Sequence, residues 1–408
     1  HFDDPKLNVA AFLPVTHPVE DGQEVTIDGV RMVFYHIIAD TDDSLMIDIP
    51  DLDTVLHNSP VTAFMLPMYT LRGDFYRKPM PMIDAIDKLI DLDADYYIGT
   101  HTEPMENKEA IADFTAHRDL YAHIYNQSVR LINQGKSQEE MVEYIKPLKH
   151  LANHPSLYPA YVDFEYNVRA QYRGMIGWYA EEIADLHPPT TKELGENIVS
   201  MAGGVNKIIE QAQKAFDEKK YNLTAKLLTY ALAAEPDSEA AKQLKADALR
   251  QMAYTTLTGI QTRNYLLTSA LHLEGKLDMN AQPDLQIFGG YTSAIVMAEP
   301  PEQSIKLLVF KIDPYQSADI SKVVSVSFTD KGVDKSWSIH IRKGVAEVKA
   351  YKPGDKVDAN LQIPRSVWAR LVTSEITLDQ ALAAEGIQVS GSKSVLSKVL
   401  NCFDNISS

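Results

Sequence analysis

Tyr69-Thr70-Leu71-Arg72-Gly73 and, further along, Ile98-Gly99-Thr100-His101 are the stretches on which the reading of this chain turns. The first places an arginine before a glycine just after an apolar run. Arginine's planar fork of donors matches the geometry of sulfate, phosphate or carboxylate. Arg72 is therefore a candidate anion-holding residue, with Tyr69 beside it. The second is the end of a short apolar strand, Ala94-Asp95-Tyr96-Tyr97-Ile98, which runs into a histidine able to bind metal. In layered α/β folds, sites form where strand ends meet loops. A loop-facing histidine held by water is the plainer alternative for His101.

Working outward, the residues before His101 read as β-rich α/β structure. Val25, Ile27, Val30, Met32 and Phe34 flank Asp28-Gly29, a two-residue hairpin signal. Short strands follow at 45–49 and 54–56, with Pro50-Asp51 as a turn between them. Ile83, Ile86, Leu89 and Ile90 have helical spacing, with a proline tolerated in the first turn. From 107 to about 275 the pattern is helical. Ile208, Ala212, Ala215 and Phe216, then Tyr221, Ala225, Leu228 and Ala231, form an amphipathic pair closed by Glu235-Pro236-Asp237. That spacing is similar to a tetratricopeptide-type unit, which is either an interaction surface or ordinary helical packing. Beyond 284 the pattern changes again. Strands are predicted at 304–312 and 323–328, a hairpin joins 337–341 to 345–351, and helices follow at 365–374, 378–385 and 392–403. A sheet covered by helices in this way is an α+β sandwich.

The composition narrows the function. A chain of 408 residues exceeds one ordinary core, so about two or three domains are expected. A formal charge of −17 argues against nucleic acid, whose phosphates need a basic surface, and disfavours anionic lipid. No run reaches the roughly 20 apolar residues of a membrane span. The single cysteine, Cys402, rules out an internal disulfide. No signal-peptide pattern is expected. The opening His1-Phe2-Asp3-Asp4-Pro5 carries no methionine, so a preceding part is expected.

Several motifs in order carry a resemblance. Tyr69-Thr70-Leu71-Arg72-Gly73, Asp119-Leu120-Tyr121 through Asn126-Gln127 to Arg130-Leu131, Gly177-Trp178, and Leu186-His187-Pro188 resemble the alkylsulfatase family, zinc sulfatases built on the metallo-β-lactamase fold. The resemblance runs from about Gly22 to the C-terminus. It implies a multidomain α/β plus α plus α+β chain. Residues 1–106 would be the C-terminal half of a metallo-β-lactamase domain and 107–278 an all-helical dimerisation domain. Residues 279–408 would be a sterol-carrier-protein-like domain able to enclose an apolar tunnel. It also implies zinc as cofactor, a homodimer, an amphipathic or fatty-chain ligand, and a periplasmic or secreted location.

The family's catalytic positions are mostly altered here. Its first ligands come from a His-x-His-x-Asp-His motif, and no two histidines of this chain stand at that i, i+2 spacing. The missing half-domain would lie upstream of His1 or on a second chain. By the resemblance, the first ligand glutamate falls at Asp40, a shorter carboxylate that either ligates metal or is a solvated turn residue. The second falls at Ser59, with His57 nearby as a possible imidazole ligand or a strand-end packing residue. A histidine-asparagine pair becomes Leu66-Pro67, and leucine cannot move a proton. A further histidine becomes Tyr166, ahead of Asn167-Val168. Only Arg72 and His101 match. A site stripped of anionic ligands no longer offsets the charge of two zinc ions. Two readings follow: a degenerate relative kept for dimerisation and ligand binding, or an active zinc-dependent alkyl sulfate hydrolase completed from elsewhere.

Overall fold

The computed structural model describes residues 15–71, 73, 75–179, 182–255, 259–278, 292–352, 354–404 and 406. The chain divides into two compact units, Thr16–Asn280 and Ala281–Ser408.

The first unit starts with a six-stranded sheet in the order β1 (Gln23–Ile27), β2 (Val30–Ile37), β3 (Ser44–Ile49), β4 (Thr54–His57), β5 (Tyr96–Gly99), β6 (Met105–Glu106). Strands β1 to β4 form an antiparallel meander, and β5 lies parallel to β4. The predicted hairpin is there because Asp28 and Gly29 both take positive φ, 49° and 82°, which a primed turn requires. A parallel neighbour needs a crossover, and α1 (Pro79–Leu92) supplies it. Met82, Ile83, Ala85, Ile86 and Leu89 of α1 are buried, and the Tyr97 hydroxyl donates to the Leu89 carbonyl at 3.0 Å.

Alternation along each strand sorts the side chains into two faces. Ile37, Met46, Val55 and Tyr97 point into a core shared with α1, α2 (Asn107–Ile132) and the later helix Phe164–Ile176. That core is continuous from Ile37 to Tyr172 and so runs through position 106. The opposite face carries Phe34, Ile47, Leu56 and Ile98, cross-strand partners in a single row. Leu45 and Tyr96 flank that row and are exposed.

After α2 come α3 (Gln138–Tyr144), α4 (Lys149–Ala152) and α5 (Phe164–Ile176). They are followed by α6 (Thr191–Ala202), α7 (Val205–Asp217), α8 (Tyr221–Ala234), α9 (Glu239–Thr255) and α10 (Ile260–Leu273). The amphipathic pair read from the sequence corresponds to α7 and α8, with Ile208, Ala212, Leu228 and Ala231 in one cluster.

The second unit holds α11 (Ser293–Ala298), α12 (Pro301–Lys306) and a five-stranded sheet. Its strands are β7 (Ser321–Phe328), β8 (Ser336–Arg342), β9 (Val345–Tyr351), β10 (Ala359–Ile363) and β11 (Gln388–Gly391), in the order β11-β10-β7-β8-β9. Helices α13 (Arg365–Val372), α14 (Leu378–Leu382) and α15 (Lys393–Leu400) complete it. One expectation is corrected: 304–312 is helical rather than a strand, α12 passing into the 3-10 turn Leu307–Phe310. Pro301 in the first turn starts a helix, and Ile305 and Leu308, three apart, are its core-facing residues. The side chain of Trp368 fills the centre, its indole N–H donating to the Ser304 hydroxyl at 3.0 Å. A filled interior of this kind leaves its polar atom paired.

Candidate functional site

The loops that follow β2, β4 and β5 meet at a cavity of about 170 Å³. Its walls include Asp40, Ser59, Thr62, Leu66, Arg77 and His101. The fold therefore brings together five of the positions singled out from the sequence, Asp40, Ser59, Leu66, Pro67 and His101, from three separate loops. His101 is exposed, and its backbone carbonyl accepts from the Ala63 amide at 2.9 Å. Its ring Nδ1 lies 2.7 Å from the Ser59 hydroxyl and 2.9 Å from that of Thr100. Ser59 is buried and has φ of +28°, which few residues other than glycine adopt without strain. Asp40 turns one carboxylate oxygen, Oδ1, inward without a hydrogen-bond partner among the described residues. Its backbone carbonyl accepts from Arg77 Nε at 3.0 Å, and Arg77 Nη1 donates to the Pro67 carbonyl at 2.8 Å.

The other anticipated residues lie elsewhere. Tyr69 lines a different and larger cavity of about 630 Å³, together with Tyr76, Tyr166, Arg169 and Arg173. Arg72 falls outside the described residues, as does Asp74, but its neighbours are held. The Leu71 amide donates to Gln261 Oε1 at 2.9 Å, and the Tyr265 hydroxyl donates to the Leu71 carbonyl at 2.8 Å. Helix α10 thus grips the loop that carries Arg72. Gly259, just before α10, passes so close to Tyr161 that a Cβ there would stand 2.5 Å from the Tyr161 backbone. His57 packs into the core edge-on to Phe114. Burial there pushes its pKa down to about 4.

Two residues that build the site carried no sequence signal, and a third, Asn167, carried little. Arg77 and Thr62 sit in loops without periodicity. Asn167 is fully buried, accepts from the Met68 amide at 2.8 Å and donates to the Leu66 carbonyl at 3.2 Å. It fixes the wall segment from α5, and its place in an Asn-Val pair was the only hint of it. Behind the same wall, burial pushes the His117 imidazole pKa down. Asp113 and the carbonyls of Asp113 and Phe64 partly offset that.

A zinc centre needs three or four protein donors per ion. The cavity offers one carboxylate and one imidazole, with Nδ1 of that imidazole already engaged by Ser59. Among the described residues no group of three His, Cys, Asp or Glu side chains is placed to hold a metal ion. The described residues around this cavity do not by themselves supply the donors that a zinc pair needs.

Comparison with known proteins gives the lineage. The family model for alkyl sulfatase dimerisation matches residues 137–276, and that for the alkyl sulfatase C-terminal domain matches 290–408. A linear primary-alkylsulfatase of Pseudomonas sp. (strain ATCC 19151) is 28% identical over 402 residues, covering 97% of this chain and 75% of that protein. The chain belongs to the alkylsulfatase family. The alkyl/aryl-sulfatase BDS1 of Saccharomyces cerevisiae is 24% identical over 97% of the chain, which spans 60% of that protein. The stereoselective inverting sec-alkylsulfatase Pisa1 from Pseudomonas sp. shares the fold, with a TM-score of 0.80 at 22% identity. That likeness covers 95% of this chain and 61% of Pisa1. The multidomain class anticipated from the sequence is the one found. It comprises a six-stranded sheet layered with helices, a helical domain and an α+β domain. No helix among the described residues is long and apolar enough to cross a membrane.

Proposed function

We propose that this alkylsulfatase-family chain is degenerate at the zinc site and serves dimerisation and the binding of an amphipathic ligand. The observation that carries this reading is the wall of the smaller cavity. Where the family places a carboxylate ligand and a proton donor, this chain has Ser59, hydrogen-bonded to His101, and Leu66. The larger cavity suits an amphipathic ligand, with Tyr69, Leu71 and Tyr76 as apolar walls and Arg169 and Arg173 at its polar side. Metal content and turnover test the reading together. Full-length protein equilibrated with zinc and then dialysed is expected to retain far less than one zinc per chain and to leave dodecyl sulfate intact. Stoichiometric zinc with zinc-dependent hydrolysis would sink the proposal.

One observation favours the second reading, an active zinc-dependent hydrolase completed by residues upstream or on another chain. The outer row Phe34, Ile47, Leu56 and Ile98 is apolar and faces away from the core. A sheet face of that kind suits a second sheet packed about 10 Å away. In that event the zinc would appear only in the completed assembly.

Self-association is the third element. Trp178, Ile183, Met201 and Tyr254 are large apolar side chains left exposed within the region that the dimerisation model matches. Two-fold pairing through this region would bring such side chains against a second copy. Sedimentation is expected to give a dimer at micromolar concentration. A well-folded, strictly monomeric chain would count against it.

A further inference from the structure

The smaller cavity does more than lack zinc ligands, because what replaces them is a nucleophile beside a base. We infer that Ser59 and His101 form a metal-free nucleophile–base pair that takes an acyl group from a short-chain ester. The Ser59 hydroxyl lies 2.7 Å from His101 Nδ1, within the reach such a pair needs. Ser59 takes a positive φ of 28° just past the end of β4, a strained backbone position of the kind that clusters at functional sites.

Hydrogen bonds link the polar side chains around the pair. Thr100 donates to Asn58 Oδ1 at 3.0 Å, and Asn58 Nδ2 donates to the Ser44 hydroxyl at 3.2 Å. Ser44 in turn donates to the Thr41 carbonyl at 3.1 Å. Asn58 Oδ1 also accepts from the Ser59 hydroxyl at 2.9 Å, so the Ser59 proton has two acceptors in reach, Asn58 Oδ1 and, with the ring proton on Nε2, His101 Nδ1 at 2.7 Å. Arg77 is the cationic side chain in the wall of the same cavity, fixed there by the Asp40 and Pro67 carbonyls, and its charge would favour a developing oxyanion.

The chemistry balances without a metal. As Ser59 Oγ bonds to the carbonyl carbon, its proton passes to His101 Nδ1. The ester C–O bond then breaks, and the imidazolium returns the proton to the departing alkoxide. Water, deprotonated by the same ring, releases the acid and restores serine. A cavity of about 170 Å³ limits the acyl group to a short chain.

The inference goes beyond the proposed function, which concerns zinc and stands or falls separately. Its test is covalent labelling of the full-length protein by a fluorophosphonate in the presence of a metal chelator, with the labelled peptide located by mass spectrometry. The label is expected on Ser59 in the wild type, and His101→Gln is expected to slow labelling by roughly 10²- to 10⁴-fold. p-Nitrophenyl acetate should give a burst that Ser59→Ala abolishes. No label on Ser59 of the wild type overturns the inference, whether or not either variant folds. Equal labelling rates in the wild type and a folded His101→Gln variant overturn it too.

Discussion

Replacing Asn167 by leucine should lower stability by about 3 kcal/mol, the largest loss expected from any single polar side chain near the site. Asn167 is fully buried, and its amide completes the backbone of a segment that belongs to neither helix nor strand. It accepts from the Met68 amide and donates to the Leu66 carbonyl. Leucine has the same branched heavy-atom skeleton but offers neither bond. One N–H and one C=O would be stranded out of reach of water, each costing roughly 1–3 kcal/mol. The damage should also spread to function. Leu66 lines the smaller cavity, and the Met68 carbonyl accepts from the Arg77 amide at 2.9 Å, so the segment positions two walls at once. Denaturant unfolding is the measurement, with an exposed control, Asn126→Ala, expected to fall within about 0.5 kcal/mol of wild type. A loss that small at Asn167 would mean the segment re-pairs its own backbone.

Local signals made much of the fold legible, and long-range ones hid the rest. The Asp28-Gly29 turn and the Lys343-Gly344 turn were readable because both need positive φ at consecutive positions, and both have it. Helix α1 was readable from its apolar spacing. Strands β10 and β11 were not, because each is short. Most of β11 is exposed, so alternation has little burial to report. The 304–312 segment misled because a short run of Ile, Leu, Val and Phe has the composition of a strand. What decided it was Pro301 at the start of a turn and two core contacts three residues apart.

The site was legible in a different way. Asp40, Ser59, Leu66 and His101 came from family motifs aligned in order, and the fold does gather them around one cavity. Their present partners could not be read. Ser59 meets His101 across a separation of 42 positions, and no local pattern encodes that pairing. Arg77 is the clearest omission. Its guanidinium holds the carbonyls of Asp40 and Pro67, and contacts to backbone leave no trace in side-chain patterning. Tyr69 shows the converse. Its motif is intact, but it lines the other cavity, because the loop carrying it is drawn toward α10 by Gln261 and Tyr265.

The second large effect is a loss of stability on mild acidification that depends on one residue, His57. The ring is buried against Phe114, and among the described residues neither nitrogen has a hydrogen-bond partner. Desolvation therefore opposes the charged form, and the pKa falls from 6.5 to about 4. The sign follows from linkage. Above pH 6.5 both folded and unfolded chains hold a neutral ring, so its contribution is complete. Between pH 6.5 and about 4 the unfolded chain binds a proton that the folded chain refuses, and stability declines as the pH drops. A separation of this size corresponds to roughly 3 kcal/mol by pH 4. The decline starts above the range where most carboxylates titrate, which separates it from general acid unfolding. His57→Leu keeps the apolar contact with Phe114 and removes the titrating group. The difference in unfolding free energy between variant and wild type should therefore shift in the variant's favour as pH falls from 7 to 4. A difference constant across that interval would show that the folded protein protonates His57 as readily as the unfolded chain does, with water or a carbonyl reaching the ring.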